Sequence, residues 1–276
     1  MHCDEYYLTN CELEIFSDQT SRIADIIISQ HRNFDVVELG PGDALKSVYL
    51  LKELLKKNAL STYFPVDISN NIIDLLHKKL PEELPQLNIH GLNGEYLTML
   101  SAAKQISDKI KLVLFLGSNV GNLSMEDVPG FCRELRSQLS PGDMVLIGID
   151  LIKNPKQILA AYNDRNGYTR DFNLNLLVRI NRELNACFNI DMFEHYATYD
   201  PYSGACRSFL VSLKEQQVTI GNTEINFAKY ETIFMEISQK YTIQQTDEIA
   251  GQSGFIPVAH FFDKNKWFTD VIWRCV

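Results

Sequence analysis

The sequence predicts an α/β protein, with a mostly parallel sheet of the nucleotide-binding kind interrupted by an inserted α+β region. Three observations carry that expectation. Residues 36–47 run as an apolar strand that ends on Glu38, breaks at Gly40-Pro41-Gly42, and passes into a helical pattern. Residues 111–117 and 144–150 are apolar almost throughout, as strands covered on both faces must be. The alternation of strand and helix then stops after Asp150 and returns only near Lys240.

Composition narrows the function classes. At 276 residues, 45% apolar and 22% charged, the chain can bury a full core and has the make-up of a soluble globular protein. A net charge of -9 without any Lys/Arg run argues against a nucleic-acid binder, which must neutralise phosphates, and leaves small molecules as the expected partners. No apolar stretch approaches the roughly 20 residues that span a bilayer, and the first five residues do not resemble a signal peptide. A cytoplasmic protein without a membrane partner is expected. The 6 cysteines are scattered, with no C-x-x-C pair and no histidine at zinc-finger spacing, which predicts reduced thiols and no metal site.

In chain order, residues 5–33 read as an amphipathic helical region that buries Leu13, Ile15, Phe16, Ile23, Ile26 and Ile27; the adjacent Tyr6 and Tyr7 read first as packing. The first strand and its turn occupy 34–43. A helix over 44–58 follows, with Val48, Leu51, Leu54 and Leu55 on one stripe. Residues 63–69 form a second strand closed by Asp67, and after a helix through Leu80 a third strand is expected at 87–92. The strand at 111–117, a helix over 126–139, the Pro141-Gly142-Asp143 turn and the strand at 144–150 complete the alternation. Residues 153–240 mix a helix at 172–184 with strand patterns at 208–213, 217–220 and 224–227. Segments 241–243 and 267–275 read as closing strands of the first sheet, with 251–254 in the loop between them.

Several of these positions carry chemistry. Gly40 and Gly42 let the backbone bend sharply and approach a ligand, which then meets free N–H groups at the start of a helix. A dinucleotide fingerprint would need a third glycine where Leu45 stands, so a nicotinamide oxidoreductase is disfavoured. The acid Glu38 suits the positive end of S-adenosylmethionine better than a pyrophosphate. An ordinary strand-to-helix turn remains the alternative. Asp67 ends its strand beside the glycine turn, where it either meets ribose hydroxyls or caps the next helix. Glu95 and Tyr96 could take an adenine amino group and its ring face, or form a plain loop. The polar segment Ser118-Asn119-Val120-Gly121-Asn122 reads equally as a substrate platform and as a capped turn.

Taken together, these segments resemble one family, the histidine-specific N-methyltransferases that use S-adenosylmethionine, including the enzyme that trimethylates histidine in ergothioneine biosynthesis. The resemblance runs from Glu5 nearly to the C-terminus. Its first half is carried by Glu5-Tyr6-Tyr7, Glu38-Leu39-Gly40-Pro41-Gly42 with Lys46, Pro65-Val66-Asp67-Ile68-Ser69, and Phe115-Leu116-Gly117 with the polar segment after it. The second half is carried by Ala161-Tyr162-Asn163-Asp164, Phe172-Asn173-Leu174-Asn175, Ile180-Asn181-Arg182-Glu183-Leu184 and Glu236-Ile237-Ser238-Gln239-Lys240.

The resemblance implies a class I methyltransferase fold, Rossmann-like and mostly parallel, with an inserted α+β substrate domain. It places the S-adenosylmethionine-binding domain at 16–152 and 241–276, and the substrate domain at 1–15 and 153–240. On the cofactor side it implies Glu38, Gly40, Gly42, Lys46 and Gly117 around the methionine part, Asp67 on the ribose, and Glu95 with Tyr96 on the adenine. For an amino-acid substrate it implies Asn122, Tyr6 and Tyr162 as the catalytic positions that hold the α-amino and carboxylate groups. Glu236 and Ser238 would hold the two imidazole nitrogens, a carboxylate and a hydroxyl matching the donor and acceptor of a neutral ring.

The sequence departs from the family at two places. The family has a further segment before Glu5-Tyr6-Tyr7 with another substrate-side tyrosine, and the sequence as given begins after it. Where the histidine enzymes have an Ile-Glu-Met run, this chain has Cys206-Arg207-Ser208, and the small polar Ser208 reshapes the substrate pocket. Two other readings therefore stand beside N-methylation of histidine: an acceptor that is another aromatic amino acid or a small amine, and a module that binds S-adenosylmethionine without turnover.

Overall fold

The computed structural model describes residue 3 and residues 5–276. Part of the stretch read as lacking a signal peptide, residues 1, 2 and 4, lies outside the described residues. The chain divides into two compact units, one of residues 8–151 and 241–276, the other of residues 1–7 and 152–240.

The larger unit begins with α1 (Leu8–Gln30) and continues through β1 (Phe34–Leu39), α2 (Ser47–Lys56), β2 (Leu60–Asp67), α3 (Asn70–Glu83) and β3 (Leu92–Asn93). There follow α4 (Tyr96–Ile106), β4 (Lys111–Phe115), α5 (Val128–Ser137) and β5 (Met144–Asp150). In the smaller unit, α6 (Pro155–Tyr162) and α7 (Tyr168–Leu184) precede β6 (Phe193–Asp200), β7 (Ala205–Ser212), β8 (Gln216–Ile220), β9 (Thr223–Phe227) and β10 (Thr232–Gln239). The larger unit then closes with α8 (Ile243–Gln252), β11 (Phe255–Phe262) and β12 (Phe268–Cys275).

Its sheet has the order β11-β12-β5-β4-β1-β2-β3. The five strands from β5 to β3 pair in parallel, while β12 runs antiparallel to both β5 and β11. Every residue of β1, β4 and β5 is buried, which explains why they are mostly apolar, with charged residues only at Asp35, Glu38, Lys111 and Asp150. One face packs Val37, Val113, Phe115, Val145, Ile147 and Trp273 against Leu100 of α4, Leu135 of α5 and Ile249 of α8. Each Å² of apolar area that this layer removes from water stabilises the unit by about 25 cal/mol.

The opposite side holds a buried acid. Glu12 falls four residues after Leu8 and three before Ile15, on the apolar stripe of α1, and is 1% exposed. Its carboxylate accepts the Gly117 N–H at 2.8 and 3.0 Å and forms an ion pair with Lys46. Gly148 of β5 makes the room: a Cβ there would lie 2.0 Å from Glu12 Oε1. Asp270 pairs with Gly148 across β12 and β5. Burial, together with the Glu12 charge, pushes the Asp270 carboxyl well above the usual carboxylate range.

The smaller unit has a three-stranded antiparallel sheet, β10-β7-β6, and the separate hairpin β8-β9. Its core joins Leu177 of α7 to Phe193, Leu210, Val218 and Phe227.

Five expectations need correction. The unit boundary falls before Leu8 rather than after residue 15, because α1 is one continuous helix. Helix α2 starts at Ser47 rather than 44, since Asp43 Oδ1 accepts the Leu45 N–H at 3.1 Å and holds the turn open. The third strand shrinks to Leu92–Asn93 with one bridge from Ile89 to Tyr63. Segment 241–243 is a bridge to Leu151 followed by a capped helix, with Thr242 and Gln245 forming the capping box, and the closing strand is β11. Strand β6, which alternates Phe193, His195 and Ala197 inward, was absent from the expected elements.

Among the described residues, no helix is long and apolar enough to cross a membrane. Gly148→Ala should push the Glu12 carboxylate off Gly117 and Lys46, and overpacking of this kind costs about 1–3 kcal/mol. Denaturant unfolding should show a lower midpoint at unchanged slope.

Candidate active site

In the larger unit the strand order reverses between β1 and β4, and ligands of open α/β sheets bind outside the carboxyl ends of strands at such a point. Gly40 follows β1 and Gly117 follows β4. Gly40 has φ +71° and a Cβ on it would meet the Tyr96 hydroxyl at 2.6 Å, so glycine is required there for both reasons. Gly42, at φ +55°, has open space where a Cβ would be. The Gly40 N–H is tied to the Val66 carbonyl at 2.9 Å, which fastens the turn to β2.

Glu38, at the end of β1, is buried and receives the Tyr63 hydroxyl at 2.5 Å. Burial pushes its carboxyl up to about 7, against the pull of Tyr63 and the Lys46 charge. Lys46 itself is raised above the ordinary lysine range: burial works against its charge, and the Glu12 carboxylate outweighs that. Its ammonium lies 3.5 Å from where a Cβ on Gly117 would stand.

Asp67 ends β2, partly exposed, and its Oδ1 accepts the Ser69 N–H at 2.8 Å ahead of α3. One oxygen thus serves the turn, as the capping alternative anticipated. The charges of Asp67 and of exposed Glu95, after burial, push the Tyr96 hydroxyl up, so these three residues form one electrostatic neighbourhood. Tyr96 also stacks edge-on against Phe115 at the end of β4, 5.9 Å between centroids. After Gly117 and Ser118, both left-handed, residues Asn119–Asn122 make a single 3-10 turn; its buried Val120 carbonyl accepts the Tyr241 hydroxyl at 3.3 Å, and Asn122 is exposed.

The smaller unit gathers the other named residues. Tyr6 meets Tyr162 edge-on at 6.1 Å. The Tyr162 and Ser238 hydroxyls are 2.6 Å apart, both buried. In β10, Glu236 and Ser238 occupy alternate positions and face one side of the sheet. Glu236 lies opposite Ser208 of β7, whose hydroxyl donates to Glu236 Oε1 at 3.3 Å. The departure at Ser208 therefore orients the carboxylate, in addition to making the wall smaller.

Two charged residues had no role in the sequence reading. Glu12 shows itself as an acid on an apolar helical stripe. Lys240 lies two positions after Ser238, with no exposed surface, and its ammonium donates to Tyr162 Oη at 2.8 Å and to Ser238 Oγ at 2.7 Å. It also lies 4.6 Å from the Tyr162 ring centroid.

A family model described as histidine-specific methyltransferase, S-adenosylmethionine-dependent, matches residues 1–275. The histidine N-alpha-methyltransferase of Mycolicibacterium smegmatis is 30% identical over 268 residues, covering 96% of this chain and 79% of that protein. An L-tryptophan methyltransferase of Psilocybe serbica is 24% identical over 285 residues, covering 95% and 79%. Among solved structures, an S-adenosylmethionine-dependent methyltransferase of Clostridium acetobutylicum matches with a TM-score of 0.50 over 94% of this chain and 92% of that one; at 10% identity the likeness concerns the fold alone.

Glu38 gives this site a pH test. With its carboxyl near 7, it is mostly neutral at pH 6 and mostly ionised at pH 8. A cation held against the ionised form should bind up to about tenfold more tightly across that interval, following the ionised fraction. Calorimetry should show the gain for S-adenosylmethionine but not for S-adenosylhomocysteine, which lacks the sulfonium charge, and Glu38→Gln should abolish it.

Proposed function

The chain belongs to the histidine-specific, S-adenosylmethionine-dependent methyltransferases, and from that premise we propose that it methylates the α-amino nitrogen of L-histidine or a histidine-like amino acid. The observation that supports this acceptor most is the placement of Glu236 and Ser238 side by side on β10, one an acceptor-only carboxylate and one a hydroxyl held by Lys240 and Tyr162. A neutral imidazole offers one N–H and one lone pair, which a carboxylate and a hydroxyl can read together.

The larger unit fits the methyl donor by the chemistry of its residues. The turn at Gly40 admits close backbone approach, Asp67 is a carboxylate suited to a diol, Glu95 and Tyr96 offer an acceptor and a ring, and Glu38 offers a countercharge. Bound there, S-adenosylmethionine supplies an electrophilic methyl group on a sulfonium. The acceptor nitrogen must bring a lone pair. A free α-amino group titrates at about 7.7–8.0, so only part of it is neutral at pH 7.

Asn122, Tyr6 and Tyr162 hold the α-amino and carboxylate groups in this reading, and their work is to seat the neutral amine. Asn122 can accept an N–H through its carbonyl and donate to a carboxylate through its amide. Catalysis of this kind is positioning, which lowers barriers by roughly 7–11 kcal/mol in favourable cases. None of these side chains needs to become covalently modified.

One specific observation keeps a second acceptor in view. Ser208 is smaller than the methionine of the histidine enzymes and leaves more room beside Glu236, and the Psilocybe relative carries the name of a tryptophan methyltransferase. A larger aromatic amino acid is the alternative that this favours.

Incubation with S-adenosylmethionine and L-histidine should yield S-adenosylhomocysteine and N-methylated histidine by mass spectrometry, in preference to tryptophan and other amines. Product from tryptophan alone would reassign the acceptor. Glu236→Ala removes a charge-assisted hydrogen bond worth about 1.5–3 kcal/mol, so KM for histidine should rise about ten- to a hundredfold with a smaller change in kcat.

A further inference from the structure

Asp270, on β12, has no exposed surface, and among the described residues neither of its carboxyl oxygens receives an N–H or O–H. Its partner across the sheet is Gly148, the residue whose missing Cβ makes room for Glu12 Oε1. The two acids therefore meet inside the larger unit, and Glu12 is the hydrogen-bond partner of the Asp270 carboxyl. Two carboxylates cannot form such a bond, because neither has a proton to give. The contact requires that one of them be the acid.

The surroundings decide which. Glu12 accepts the Gly117 N–H on both oxygens, at 2.8 and 3.0 Å, and forms an ion pair with Lys46. An amide donor and an ammonium both favour the charged form. Asp270 has no such donor on its oxygens, and burial, together with the Glu12 charge, lifts its carboxyl well above the usual range despite the pull of Lys46. The proton therefore sits on Asp270, whose O–H donates to Glu12. A further acid whose charge reaches Glu12 and Lys46 is Glu38, at the end of β1, which has the Tyr63 hydroxyl as its own donor. Of Glu12, Asp270 and Lys46, only Lys46 reaches the surface, with 21% of its side chain exposed.

We infer that Glu12 and Asp270 are positioning residues that share one proton, and that the pair aims the Lys46 ammonium and the Gly117 loop at the carboxylate of the methyl donor's amino-acid end. This rests on the reading that Lys46 and Gly117 lie at the methionine part of S-adenosylmethionine, and it adds the device that holds them there. A neutral Asp270 leaves Lys46 with Glu12 as its anchor, and the ammonium keeps further N–H donors for a second carboxylate. An ionised Asp270 would add a competing countercharge and weaken that grip.

The test compares S-adenosylhomocysteine with 5′-methylthioadenosine, a thioether of the same nucleoside without the amino-acid end, by calorimetry. Glu12→Gln keeps an oxygen for Gly117 but turns an NH2 group toward Lys46. It should raise the Kd of S-adenosylhomocysteine about tenfold or more, the worth of one charge-assisted hydrogen bond, and leave methylthioadenosine within about twofold. Asp270→Asn retains an uncharged donor for Glu12 and should bind S-adenosylhomocysteine within about threefold of wild type, whereas Asp270→Leu, without a donor, should weaken it about tenfold. In protein labelled with carbon-13 at the aspartate carboxyls, infrared spectroscopy at neutral pH should show the carbonyl band of an un-ionised acid, which Asp270→Asn removes.

Lys46→Met separates the inference from its premise. If it leaves the preference for S-adenosylhomocysteine over methylthioadenosine unaltered, Lys46 does not meet the amino-acid end and the donor reading is wrong at this residue. If Lys46→Met lowers that preference but Glu12→Gln does not, the positioning role of Glu12 is refuted while the donor reading stands. An Asp270→Asn protein as impaired as Asp270→Leu, or one that leaves the infrared band in place, would mean that Asp270 is not the acid of the pair. Should Glu12→Gln not fold, Glu12→Asp, which withdraws the carboxylate by one methylene, takes its place with the same expected loss of preference. Should Asp270→Leu not fold, the infrared band decides for Asp270.

Discussion

A carboxylate taken out of water has to be given donors or a cation in exchange, and Glu12 receives them from distant parts of the chain. The helix α1 brings the acid, the loop after β4 brings the Gly117 N–H, and the segment before α2 brings Lys46. One buried group thus holds the two glycine-bearing loops at the carboxyl ends of β1 and β4 in register with each other. It also explains why α1 belongs wholly to the larger unit. A boundary after residue 15 would have separated Glu12 and Ile15 from Phe16 on the same continuous helix. Gly148 is part of the same constraint, since any side chain there would occupy the space of the carboxylate.

The smaller unit solves the converse problem. There the buried Lys240 ammonium donates to the oxygens of Tyr162 and Ser238 and lies beside the Tyr162 ring. A hydroxyl that accepts from an ammonium has its proton directed away from it. The result is a cluster whose hydrogen-bond directions are set before any ligand arrives, which is the form of preorganisation that lowers the cost of binding. The Ser208 hydroxyl does the same for Glu236 on a smaller scale.

What could be read from the sequence follows from which interactions are local. Strands β1, β4 and β5 were legible because burial on both faces leaves a mostly apolar run. The glycine turn was legible because two residues in the left-handed region, Gly40 and Gly42, leave a mark in composition. The start of α2 was not, because Asp43 bonding to the Leu45 N–H competes with the helix through a contact that helical periodicity does not encode. Strand β6 was missed because one of its three inward positions is His195, whose burial depends on packing from other elements. Glu12 and Lys240 each broke a pattern, one on an apolar helical stripe and the other on the inward side of a strand end. A charge at an apolar position has no meaning until its partners are known, and those lie 34 and 105 residues away for Glu12 and 78 for Lys240 on Tyr162.

The signs of the two buried clusters bear on the chemistry. Around the glycine turn, Glu12, Glu38 and Asp270 outnumber Lys46, and burial holds at least Glu38 and Asp270 above the ordinary carboxylate range. Such a group is an acid kept partly neutral until a cation makes ionisation favourable, so it stabilises a positive ligand without carrying a full uncompensated charge in its absence. In the smaller unit the Lys240 ammonium donates to the Tyr162 and Ser238 hydroxyls, so both oxygens already carry one donor before any ligand is bound.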